Sequence, residues 1–150
     1  MSITLKEASV DDVEILSRLH IAAFGRGWGP TEFASFFDRD NIVAYLAMAP
    51  GDQPVGFIFC WVVADQAELL SLGVLATHRQ RGIGKQLLER AIGVCEGLGA
   101  RLMCLEVNVH NKAARDMYIR LGFEATGRRK DYYKQPDGTR VDAVSMRLDF

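Results

Sequence analysis

Apolar and polar positions change their spacing several times along the chain, and each change marks an element. The first apolar run, Ile3 to Leu5, is long enough only for an edge strand. Asp11 and Asp12 then precede apolar residues at Val13, Leu16, Leu19 and Ala23. An Asp ahead of that spacing reads as the N-cap of an amphipathic helix. The helix is expected to stop at Gly25, where Gly25-Arg26-Gly27-Trp28-Gly29-Pro30 is a cluster of breakers. A second short helix is expected from near Thr31 through Phe37. Strand-like segments follow: Ile42 to Met48, a turn at Pro50-Gly51-Asp52-Gln53, then Val55 to Val63, which Asp65-Gln66 turns into Glu68–Val74. The pattern is that of an antiparallel meander.

Downstream the period lengthens. Ile83, Leu87, Leu88, Ala91, Ile92, Cys95 and Leu98 share one helical face, and Gly97 and Gly99 end the helix. Leu102 to Val107 is a strand interrupted by one charge, Glu106. Ala114, Met117, Tyr118 and Leu121 form another helical stripe, closed by Gly122. The remainder, from Phe123 through the turn Pro136-Asp137-Gly138 to Val141–Leu148, predicts a closing hairpin. The order β α α β β β α β α β β, with one strand–helix–strand unit in a mixed sheet, predicts an α/β protein of mostly antiparallel pairing.

The length of 150 residues fits one domain, 1–150, with little room for two. Lys and Arg number 18 and Asp and Glu 19, a net charge of −1, which removes the electrostatic case for a general nucleic-acid binder. No stretch approaches the roughly 20 apolar residues of a membrane helix. The first residues carry no apolar signal core, so the chain is expected to work in the cytoplasm. Cys60, Cys95 and Cys104 lie in apolar runs and read as buried thiols; His20, His78 and His110 are too scattered for a metal motif.

The segment richest in chemistry is Leu72-Gly73-Val74-Leu75-Ala76-Thr77-His78-Arg79-Gln80-Arg81-Gly82-Ile83-Gly84-Lys85, which joins a strand to the long amphipathic helix. Gly82 and Gly84 let backbone approach a ligand where the helix begins. The helix's first amides have no internal partners, and Arg79, Arg81 and Lys85 add positive charge nearby. Such a terminus binds phosphate or pyrophosphate. It does not extend to a P-loop or to G-x-G-x-x-G, because position 87 is Leu. Residue chemistry leaves two readings open: a phosphate cradle, or a tight strand-to-helix turn with solvated arginines.

Arg79-Gln80-Arg81-Gly82-Ile83-Gly84 resembles the acyl-CoA signature of the GNAT N-acetyltransferase superfamily, R/Q-x-x-G-x-G/A. Its context is similar too: the flanking strand and helix, Leu105-Glu106-Val107, Asn111, and Tyr118-Ile119-Arg120-Leu121-Gly122-Phe123. With Trp28 and Arg128-Arg129-Lys130-Asp131-Tyr132-Tyr133, the chain looks most like the ribosomal-protein alanine N-acetyltransferases. Ala76 stands where Pro is frequent, His78 where Tyr or Phe is common, and Gly29 where Ser is common.

The resemblance implies an α/β (α+β) fold with a mixed, mostly antiparallel sheet of about six to seven strands flanked by about four helices. It implies an acetyl-CoA-dependent N-acetyltransferase that passes acetyl directly to an amine, the N-terminal amine of a protein such as a ribosomal protein. The alternatives are a small-molecule amine as acceptor, or an acyl-CoA-binding module without turnover. Backbone groups of Leu72, Gly73 and Val74 would pair with the pantetheine arm like an added strand, and the bare Cα of Gly73 fits close approach. The pyrophosphate falls to Arg79, Gln80, Arg81, Gly82, Ile83, Gly84 and Lys85, through main-chain amides from Gln80 onward.

For single side chains the resemblance stands beside a plainer reading. Glu106 would be the base that deprotonates the amine, or else a salt-bridge partner of a nearby Arg. Tyr118 would be the acid that protonates the CoA thiolate, or else a core tyrosine. Asn111 would contact the cofactor, cap its helix, or do both. Trp28, Tyr132 and Tyr133 would line an acceptor groove, or else pack their loops. Arg128-Arg129-Lys130 reads as a solvated turn. No metal, nucleic acid or membrane is implied as a partner.

Overall fold

The computed structural model describes residues 2–25 and 27–150 and carries the expected elements in the expected order. They are β1 (Thr4–Glu7), α1 (Val13–Phe24), α2 (Pro30–Phe37), β2 (Ile42–Ala49), β3 (Gln53–Val63), β4 (Gln66–Val74), α3 (Ile83–Gly97), β5 (Leu102–Asn108), α4 (Lys112–Arg120), β6 (Glu124–Lys134) and β7 (Arg140–Asp149). Two short 3-10 turns, Val10–Asp12 and Ala76–His78, precede α1 and α3. The start of α1 differs from its expected form. Asp12 gives α1 no side-chain cap. Its carboxylate instead accepts the Ser9 amide at 2.9 Å, closing the first 3-10 turn.

The seven strands run in the order β1-β2-β3-β4-β5-β7-β6. Every neighbouring pair is antiparallel except β4 with β5. The Val55–Val63 run is apolar throughout because β3 is covered on both faces. Ile58 and Cys60 pack with Ile83, Leu87, Leu88, Ala91 and Cys95 of α3, and with Tyr118 and Phe123 around α4. Phe57 and Phe59 point the other way and pack with Leu16 and Leu19 of α1 and Phe33 of α2. A fully buried Phe or Leu contributes about 1.5–3 kcal/mol, against about 0–1 for an exposed ion pair. The two apolar layers therefore hold the fold, and exposed pairs such as Lys112–Asp116 and Arg147–Asp149 trim it. Cys60 and Cys95 are buried as expected; Cys104, on the outward face of β5, is only half-buried.

The site is positioned by one irregularity in β4. Phe59 of β3 faces Ser71, yet Cys60 faces Leu69, so Leu70 is an extra residue bulged out of the ladder. Pairing with β5 stops at the same place, covering only Gln66–Leu69 against Leu102–Leu105. Beyond it the strands part, and the β5-facing edge of Leu70–Val74 has no ladder partner.

What crowds the bare Cα of Gly73 is protein. A Cβ there would lie 2.8 Å from Cε1 of Phe57 and 3.0 Å from the Cβ of Ala23. Gly73→Ala is expected to destabilise the protein by about 1–3 kcal/mol, because the fully buried Phe57 ring cannot swing clear. Urea unfolding measures it, and unchanged stability would contradict this packing.

Candidate active site

The parting of β4 and β5 opens a cleft of about 540 Å³. Its walls bring together Trp28, Leu72, Glu106, Asn111, Tyr118 and Tyr133. Burial alternates along β5, with Met103, Leu105 and Val107 inside the α3–α4 layer, so Glu106 projects from the opposite face. Tyr118 comes from α4, on the α3 side. The two side chains meet in one cleft only because the sheet is split between them.

Glu106 lies opposite Ser145 of β7. Its Oε2 accepts the Ser145 hydroxyl at 2.5 Å, and its Oε1 is 3.5 Å from Nη1 of Arg129. The plainer reading of Glu106 as an ion-pair partner is therefore present in the structure, in a residue that also faces the cleft. Arg128-Arg129-Lys130, expected as a solvated turn, is instead part of β6. Arg128 pairs with Asp142 at 2.6 Å and Arg129 with Glu106, and cross-strand partners of this kind favour a strand over a turn.

Tyr118 is buried, with its ring edge-on to Phe123 at 5.6 Å. Burial, with smaller contributions from Tyr133 and Cys60, pushes its phenol well above the ordinary tyrosine range, so it stays protonated. Tyr133 donates its hydroxyl to the Glu106 carbonyl at 2.9 Å, and burial raises its phenol as well. Tyr132 does not line the cleft. Asp131 takes a left-handed φ of 54°, and the register breaks between Arg129 and Tyr133. Tyr132 lies outside, with its ring edge-on to Tyr133 at 4.9 Å and the Arg129 guanidinium 4.3 Å above its centre. Asn111 caps α4, its Oδ1 accepting the Ala114 amide at 3.2 Å, and lines the cleft at the same time.

Past Leu72 the open edge runs through Gly73 and Val74 to the Arg79–Lys85 turn, which lies beyond the cleft walls. Gln80 and Gly82 both take left-handed φ, 61° and 78°. A Cβ on Gly82 would meet nothing within 4 Å, so the turn faces open space. The amides of Ile83, Gly84 and Lys85 begin α3 and have no helical acceptors. The Arg79 side chain turns away from them. Its Nε donates to the Val74 carbonyl at 3.0 Å and its Nη2 to the Ala23 carbonyl at 3.4 Å, at the carbonyl end of α1 where a cation is favoured.

His20 also lines the cleft, and metal spacing alone gave no reason to single it out. The signal available was its place on α1, one turn from Leu16 on the inward face. Ser145 had no comparable signal, because its register with Glu106 is a tertiary fact.

Residues 13–123 match the acetyltransferase (GNAT) family. The chain is 37% identical to the [ribosomal protein bS18]-alanine N-acetyltransferase of Haemophilus influenzae over 101 residues, 67% of this chain and 68% of that one. It superposes on the crystal structure of the ribosomal-protein-S18-alanine N-acetyltransferase from Escherichia coli with a TM-score of 0.89 and 29% identity, covering 99% of this chain and 94% of the other. Arabidopsis thaliana NAA60 in complex with acetyl-CoA has the same fold, with a TM-score of 0.89 at 22% identity over 99% of each chain. Among the described residues no helix is long and apolar enough to cross a membrane.

The raised phenols make stability depend on alkali. Folded Tyr118 and Tyr133 keep protons that the unfolded chain releases near pH 10. Their stabilisation is complete below about pH 10 and drains away as pH rises further, since the unfolded state then binds fewer protons than the native one. Unfolding free energies measured from pH 8 to 11 are expected to fall in the upper part of that range. Tyr118→Phe is expected to flatten the fall; an equally steep fall in that variant would contradict the burial argument.

Proposed function

The chain belongs to the GNAT acetyltransferase family, and from that premise we propose that residues 1–150 work as one acetyl-CoA-dependent N-acetyltransferase domain acting on the N-terminal amine of a protein, a ribosomal protein above all. The observation that carries the reading is the open seam: a free strand edge that leads from a cleft holding a carboxylate and a buried phenol to a helix N-terminus facing open space. These parts fit the three sections of acetyl-CoA. The β4 edge at Leu72, Gly73 and Val74 suits the pantetheine amides. The amides from Gln80 to Lys85, where α3 begins, suit the diphosphate. The cleft suits the thioester. Arg79 serves this arrangement by tying β4 to α1, and Asn111 stands where it can touch the cofactor while capping α4.

Acetyl-CoA supplies a thioester carbonyl and a thiolate leaving group. An acceptor ammonium must lose a proton before its nitrogen can form the new N–C bond. Glu106 takes that proton through water, because both its oxygens are already engaged by Ser145 and Arg129. As the C–S bond breaks, Tyr118 donates its proton to the departing sulfur, a role suited to a phenol held protonated by burial. Trp28 and Tyr133 wall the acceptor's approach, and Tyr132 packs against Tyr133 outside the cleft. Among the described residues no Ser-His-Asp or Cys-His set in the cleft calls for a covalent intermediate.

The acceptor class rests on the relatives named as ribosomal-protein alanine N-acetyltransferases, and it implies that the enzyme works in the cytoplasm. Initial rates with acetyl-CoA and an alanine-initiated peptide both varied are expected to give intersecting double-reciprocal lines. Parallel lines would exclude direct transfer, and turnover confined to small amines would overturn the protein acceptor. Tyr118→Phe is expected to lower kcat by about 100-fold or more while acetyl-CoA affinity in calorimetry stays unchanged; an unaffected kcat would remove Tyr118 as the acid.

A further inference from the structure

α1 holds the Trp28 peptide unit from both sides. The Trp28 amide donates to Nδ1 of His20 at 3.2 Å, and the Trp28 carbonyl accepts the Ser17 hydroxyl at 2.9 Å. The two rings are stacked, with centroids 4.9 Å apart and planes 15° from parallel. The chain just before Trp28 passes so close to the imidazole edge that a Cβ on Gly27 would collide with Nδ1. Gly27 therefore accommodates the ring at this position. His20 and Trp28 both line the cleft, and His20 is buried, 8% exposed.

We propose that His20 is a positioning residue: its neutral imidazole fixes the Trp28 wall of the acceptor site, and protonation at Nδ1 releases that wall and weakens acceptor binding. The inference rests on the reading of the cleft as an N-acetyltransferase site. The chemistry is simple. Nδ1 can accept the Trp28 amide only while unprotonated, which leaves the ring's proton on Nε2. An imidazolium would present a second N–H to a donor and break the bond. Among the described residues around the ring, Phe24 of α1, Phe33 of α2 and Phe57 of β3 are neutral. Glu32 of α2 is the charged group acting on it, while Glu106, His110, Tyr133 and Lys134 share the cleft. Burial outweighs Glu32 and holds the imidazole below its ordinary value, so the bond is intact at neutral pH and fails on acidification.

Two variants and one spectroscopic probe test this. His20→Phe keeps a stacked ring and loses the acceptor atom. It is expected to raise the acceptor KM about 10-fold, the loss of roughly one net hydrogen bond, with kcat and the KM for acetyl-CoA within about twofold. His20→Asn puts an amide oxygen where Nδ1 stood and is expected to recover most of the acceptor KM. In a Trp61→Phe background, which leaves Trp28 as the sole tryptophan, emission is expected to titrate on lowering the pH with His20 present and to stay flat with His20→Asn. An unchanged acceptor KM in His20→Phe, or an equal fall in kcat and acetyl-CoA affinity, overturns the positioning role. Emission that ignores pH while His20 is present overturns the proton dependence. If the wild type turns over no acceptor at all, the functional reading fails and the positioning role with it, while the emission titration still decides whether His20 holds Trp28.

Discussion

Beyond Leu69 and Leu105, β4 and β5 stop sharing hydrogen bonds, and the bulge at Leu70 is where they separate. A sheet of seven strands needs backbone partners on both edges of every interior strand, and this one leaves part of an interior strand without them. The gap is affordable only because it sits at the sheet's end, under α1 on one side and α4 on the other, where a ligand can complete the ladder. It also joins two faces that a continuous sheet would keep apart. Glu106 from one face and Tyr118 from the other reach a common space through the opening.

The chemistry on the two sides of that opening is divided by environment. Tyr118 is sealed against Phe123 and keeps its proton. Glu106 is half-buried and its charge is supported, by the Ser145 hydroxyl at one oxygen and by Arg129 at the other. A phenol that stays protonated and a carboxylate placed to receive a proton form the kind of pair that amine acylation by a thioester would use. Tyr133 joins the two halves, since its hydroxyl holds the Glu106 carbonyl and its ring lines the same cleft.

Much of this was legible from residue order. Periodicity located α1, α3 and α4 and the doubly covered β3, because the helices bury an amphipathic face against one layer and β3 reads as an unbroken apolar run. β6, exposed along nearly all its length, carries no such pattern, and Arg128-Arg129-Lys130 and Tyr132-Tyr133, read as turn and loop, lie in it. The Gly82 turn was legible because its glycines stand at a strand-to-helix junction. Where the reading failed, a local cue met a longer-range partner. Asp12 has the composition of a helix cap, but its carboxylate reaches back to Ser9. Arg128-Arg129-Lys130 has the composition of a solvated turn, but Asp142 and Glu106 across the sheet draw it into β6. Arg79 belongs to the glycine-rich motif, yet its side chain binds carbonyls on β4 and α1. Tyr132 and Tyr133 touch ring to ring, yet with the register break before Tyr133 only Tyr133 lines the cleft. His20 gained its place only when Gly27 and Trp28 folded against it.

Acetyl-CoA held along the open β4 edge and the amides that begin α3 would shield both segments from solvent. Amide hydrogen exchange with and without acetyl-CoA tests it most directly. Added protection is expected at Leu72–Val74 and Ile83–Lys85, with little change at β1 or α2. Protection that appears elsewhere while those two segments exchange as before would contradict it.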